Sequence, residues 1–97
     1  MNNMKWIEVI QLRSVESNRE LLKSNLQRLI DEVDQGRKKQ EIRAYNRVFI
    51  DTDCSVHLYH DSKKVKQGGS ELGLRIVNAL KEFGLVNHNI WIEIHSG

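Results

Sequence analysis

The chain has 97 residues, of which 39% are hydrophobic and 29% charged, and carries a formal net charge of +2. That length fits one domain, 1–97, with a modest core that buries roughly two-thirds of the surface an unfolded chain exposes. The composition is too apolar for disorder, the mild charge balance is no argument for a nucleic-acid surface, and a single cysteine, Cys54, excludes an internal disulfide.

Trp6 to Leu12 is short and rich in β-branched and aromatic residues, which predicts a strand. Ser17 with Glu20 three positions later reads as a capping box, and Leu22, Leu26, Leu29, Ile30 and Val33 follow at helical spacing. A helix from about Asn18 to Gln35, ended by Gly36, is expected. Glu41 to Ile50 reads as a second strand, with Ile42, Ala44, Val48 and Ile50 on one face. Arg43, Tyr45, Arg47 and Phe49 fall on the other. Asp51-Thr52-Asp53 has turn chemistry, so Cys54 to His60 becomes the third strand and closes an antiparallel hairpin. On it Cys54, Val56 and Leu58 stand opposite Ser55, His57 and Tyr59.

Ser62 to Gly69 is a polar, lysine-rich loop, and Ser70 is the N-cap of a second helix with the stripe Leu72, Ile76, Val77, Leu80 and Phe83. Gly84 is read as its stop. Asn89 to His95 is the last strand, with Ile90, Ile92 and Ile94 opposite Trp91, Glu93 and His95. No run approaches membrane-spanning length, and Met1 to Lys5 leads into a strand rather than a signal peptide. A cytoplasmic protein is expected. The basic clusters Arg37–Lys39 and Lys63–Lys66 fall in predicted loops and read as solvated linkers.

The order βαββαβ is the ferredoxin-like arrangement, an α+β fold with two helices on one face of a four-stranded antiparallel sheet. Asn46 interrupts the aliphatic face of the second strand, which suggests a bulge or a sheet edge. The open face would carry Tyr45, Phe49, His57, Tyr59, Trp91 and His95, and the first strand is apolar on both sides. Such a face calls for a cover, and a second subunit is the simplest one.

In order and in this aromatic open face, the chain resembles the ferredoxin-like proteins that pair sheet to sheet, the dimeric α–β barrel superfamily. The resemblance is one of architecture. It implies a homodimer that binds a small molecule, with monooxygenase-like and isomerase-like activities among its members. Haem-degrading members use an Asn, a Trp and a His. Asn89, Trp91 and His88 are bunched on one strand here, whereas the family draws its His from a helix, so those roles do not transfer.

The residue types then nominate candidates. If the protein is an enzyme, His57 is the general base, with Tyr59 and Glu8 beside it. Arg43 and Arg47 would hold an anionic group, with Trp91 and His95 lining the ligand. His57 and His95 share the open face roughly 9–10 Å apart, too far for one metal unless Glu8 or Glu93 joins them. No HxH, HExxH or CxxC spacing supports a metal, and no cofactor is expected. Gly68, Gly69 and Ser70 form a candidate anion-binding loop at a helix N-terminus, though the same residues make an ordinary flexible loop with a cap. Cys54 reads as a buried, inert thiol, and Asp51 and Asp53 as turn formers.

Other functions fare less well. Trp6 and Tyr59 occupy the stacking positions of an RNA-recognition fold, but Cys54–Tyr59 lacks its basic-Gly-aromatic pattern, so nucleic acid is not expected. Arg13 to Glu16 lacks the Gly-rich loop that acylphosphatase chemistry needs. A non-catalytic dimerisation or interaction module is the standing alternative.

Overall fold

Alternation along one strand sets the packing. In β1 (Met4–Ser14) Trp6, Glu8, Ile10 and Leu12 are buried, while the residues between them face the other way and reach solvent to varying degrees. The computed structural model describes residues 3–14, 19–36 and 41–94. After β1 come α1 (Arg19–Gly36), β2 (Glu41–Arg47), β3 (Ile50–Ser62), α2 (Glu71–Leu80) and β4 (Gly84–Ile92). The four strands form one antiparallel sheet in the order β2-β3-β1-β4, so β1 and β3 are central. This is the ferredoxin-like α+β arrangement.

The core lies between one sheet face and the helices. Ile10 and Leu12 of β1 and Cys54, Val56 and Leu58 of β3 meet Ile76, Val77 and Leu80 of α2 and Leu26 of α1. The Ser70 hydroxyl accepts the Gly73 N–H, as an N-cap should, at 3.0 Å. No helix among the described residues is long and apolar enough to cross a membrane. Ser17 of the expected capping box and the Arg37–Lys39 cluster lie outside the described residues.

Several boundaries differ from the sequence reading, and those that matter most differ for a local reason. The hairpin reverses at Val48-Phe49, not at Asp51–Asp53, and β3 therefore begins at Ile50. The β2–β3 register shifts between Asn46 and Arg47, so Arg47 pairs with Ile50 and the chain turns early. Phe49 adopts a left-handed φ of 63°, which costs on the order of 1 kcal/mol for a residue with a Cβ. Its ring is 99% exposed at the hairpin tip rather than on the sheet face. Val48 and Ile50, expected beneath the helices, are exposed for the same reason.

At the other end, Gly84 opens β4 instead of ending α2, which stops at Leu80. A Cβ at Gly84 would fall 2.1 Å from the Arg13 carbonyl oxygen, so only glycine lets β4 close on β1 there. The longer β4 brings His88 into the sheet opposite Ile10. Ile92 and Ile94, expected under the helices, are exposed on this edge.

The burial pattern predicts a sharp contrast between two leucines. Leu58→Ala, at 1% exposure, lowers unfolding free energy by about 2–5 kcal/mol. Leu74→Ala, at 47% exposure on α2, changes it by less than about 1 kcal/mol in the same denaturant titration.

Candidate functional site

Glu8 sits in an otherwise apolar stripe, and strand alternation carries its carboxylate inward, where it is fully buried. Extending β3 to Ser62 puts His60 on the same face, opposite Trp6, and the early start of β4 adds His88. His60 Nε2 lies 2.6 Å from Glu8 Oε2, and His88 Nε2 lies 2.8 Å from Oε1. The head of α2 supplies two more donors. Ser70 N–H donates to Oε1 at 3.1 Å and the Ser70 hydroxyl donates to Oε2. An ionised carboxylate only accepts, so this network assigns Nε2–H to both imidazoles.

Space around the carboxylate is made by glycine. A Cβ on Gly73 would lie 2.0 Å from Glu8 Oε1, and one on Gly69 would lie 2.3 Å from His88 Cε1. Gly69 also has φ +96, a conformation that side chains disfavour. Trp6 stacks on His60 at 4.0 Å between ring centroids and donates its indole N–H to Ser62 Oγ at 2.9 Å. The His60 imidazole is therefore held on one side by an aromatic face and at its Nε2 edge by a carboxylate.

Burial alone would raise the Glu8 pKa. The hydrogen bonds from His60, Ser70 and His88 outweigh it and bring the carboxyl down to about 2. The α2 N-terminus adds a favourable dipole. Ser70, proposed from sequence as part of an anion-binding loop, thus holds the chain's own carboxylate. Gly69 packs against that same group, and the position of Gly68 is open.

The opposite sheet face is a lattice of cross-strand rows. Tyr59, Ile7 and Trp91 form one row; His57, Val9 and Asn89 form the next, with Arg43 beside His57 on β2. Ser55, Gln11 and Asn87 follow, flanked by Tyr45, and then Asp53, Arg13 and Leu85. His57 lies 4.9 Å from the Tyr45 ring and 6.4 Å edge-on from Tyr59, and its Nε2 is 2.8 Å from Ser55 Oγ. The Arg43 guanidinium lies 5.8 Å from the Tyr59 ring centroid, a cation–π distance. At the polar end is a trough of about 460 Å³ bordered by Gln11, Arg13, Tyr45, Arg47 and Asp53. There Asp53 is shared between Arg47 at 3.3 Å and Arg13 at 3.9 Å.

The candidates named from sequence therefore separate into two groups. Glu8, Gly69 and Ser70 meet under α2. His57, Tyr59, Arg43, Arg47 and Trp91 share the open face, with Trp91 60% exposed. Glu8 cannot act beside His57, because Val9, not Glu8, is the residue paired with His57 on that face. His95 lies outside the described residues. Sequence reading missed His60 and assigned His88 no role. The signal for His60 was present, since it continues the Cys54, Val56, Leu58 alternation by one step. Cys54 is buried, and burial followed by the nearby Asp53 charge raises its thiol pKa, which keeps it protonated and unreactive. Among the described residues no group of three His, Cys, Asp or Glu side chains is placed to hold a metal ion.

No protein-family model matches the chain, and no curated protein or solved structure matches it either. The class is defined by the fold and by these two faces: a ferredoxin-like α+β protein with a buried carboxylate–imidazole cluster under one helix and a partly aromatic sheet face that neither described helix covers.

The cluster predicts an acid-sensitive stability. The folded carboxyl titrates near 2 against an ordinary value of 4.5, so as pH falls the unfolded chain takes up the proton first. Glu8's contribution, on the order of 3 kcal/mol, is whole above pH 4.5 and fades between pH 4.5 and 2. Glu8→Gln lowers stability at pH 7 by about 3 kcal/mol and flattens that acid limb in urea titrations. An unchanged limb would assign acid sensitivity to other groups. Gly73→Ala drives a methyl into the carboxylate and lowers the thermal midpoint as well.

Proposed function

We propose that this protein is a homodimer whose two open sheet faces pack together and bind a small molecule at the seam, the arrangement of the dimeric α–β barrel superfamily. The observation that carries this reading is the open face itself. Ile7 and Val9 on the central strand are flanked by Tyr45, Tyr59, Leu85 and Trp91, and a sheet face left in water is normally polar. The face is four strands wide and has about ten paired positions along β1. It spans roughly 19 by 33 Å, close to the scale of ~800 Å² that each partner of a standard interface buries.

Small-molecule binding is supported by the trough at the polar end. Two guanidinium groups there are balanced by one carboxylate, which leaves a site for an anionic ligand. If the seam carries chemistry, His57 is the group placed to move a proton. Its ring is held between Tyr45 and Tyr59 and anchored to Ser55.

Light scattering over a concentration series tests the assembly. The wild-type protein is expected at twice the chain mass, and Trp91→Glu at the chain mass with an unchanged far-UV spectrum. A wild-type monomer at every concentration would overturn the dimer and leave this face open to a different kind of partner.

A further inference from the structure

A second hollow, of about 260 Å³, lies on the other side of β2, between the sheet and α1. Its lining is mainly apolar, with Leu22, Leu26 and Ile30 of α1 facing Ala44 of β2. α1 is only lightly docked at this edge. Leu26 is the one residue of its stripe that is buried among those described, and Leu22 and Ile30 are half-buried. The hollow and the arginine trough have Tyr45, Asn46 and Cys54 in common as lining residues. They share them where the β2–β3 register breaks, between Asn46 and Arg47, on the outermost strand of the sheet. An apolar hollow and a cationic trough thus adjoin at an interrupted sheet edge.

We propose that the two hollows form one site for an amphipathic carboxylate, its head on Arg13 and Arg47 and its apolar tail passing the β2 edge to lie beneath α1. The proposal rests on the reading of the trough as an anion site and names the ligand class. Charge decides the head group. Two guanidiniums against Asp53 leave a single positive charge, which matches a carboxylate and leaves a doubly charged phosphate in excess. Both guanidiniums remain largely exposed, at 70% and 59%, so their outer N–H groups are available to a ligand. The half-covered leucine stripe of α1 decides the tail, because an apolar chain there completes its burial. The neutral, buried Cys54 thiol at the junction adds no charge to repel the anion.

Isothermal titration calorimetry with octanoate, acetate and 1-octanol tests it on the wild-type chain and two variants. Octanoate is expected to bind at least tenfold more tightly than either acetate or octanol, since each of those offers only one half of the ligand. Arg47→Gln weakens octanoate roughly tenfold and leaves octanol unchanged. Ala44→Phe, at an exposed position on the edge strand, fills the tail hollow without entering the core and weakens octanoate by a similar factor. Octanoate no tighter than acetate, or unaffected by Ala44→Phe, overturns the spanning site. Light scattering on the same samples separates the two readings. A monomer that still binds octanoate in this pattern removes the dimer and keeps the site, and a dimer without the pattern does the reverse.

Discussion

A carboxylate taken wholly out of water costs several kcal/mol unless the protein replaces its hydration, and Glu8 is taken wholly out. The replacement comes from three separate parts of the chain: His60 on β3, His88 on β4 and Ser70 at the head of α2. None of these donors is local in sequence to Glu8. Each arrives only when its own element has docked in the right register. A slip of one residue in β3 or β4 would turn its histidine to the opposite face and leave the carboxylate short of a partner. Apolar packing of Ile10, Val56 and Leu58 tolerates small errors of this kind far better than a buried charge does. The cluster therefore acts as a check on how three elements are assembled against β1. The glycines at 69 and 73 belong to the same constraint, because the carboxylate and His88 occupy the space that side chains there would need.

Much of this was legible from residue order alone, and what was not has a physical explanation. Element order, the capping role of Ser70 and the two-faced character of the strands all followed from periods of two and 3.6. The hairpin reversal at Val48-Phe49 was hidden because it uses no glycine, asparagine or proline, and Phe49 takes a conformation that aromatic residues usually avoid. The start of β4 was hidden by the polar run Asn87, His88 and Asn89, of which only Asn89 was placed on the strand. In place, two of them face the open side while His88 serves the buried carboxylate. Polarity on a strand thus misled where it was local, and alternation would have corrected it. Glu8 carried the strongest unread signal, an acidic residue in phase with Trp6, Ile10 and Leu12. A charge in that phase requires partners somewhere in the chain, and the remaining histidines were the natural ones to seek.

The two helices are held with unequal strength, and that inequality has consequences for function. α2 is fixed by the Glu8 cluster at its head and by Ile76, Val77 and Leu80 along its length. Among the described residues α1 has no comparable anchor. Leu26 enters the core, and the Arg75–Glu32 ion pair at 2.7 Å links the helices at the surface, where such a bridge contributes little. Local opening should then be concentrated where α1 overhangs β2, the edge strand with the broken register. That is also the side on which the apolar hollow and the two arginines adjoin. A fold so firmly locked along β1, β3, β4 and α2 can leave the β2–α1 edge loose without losing its register. The same edge is thereby the part of the molecule in which a ligand would gain most from the burial it completes, because there the protein has left its own apolar surface only half covered.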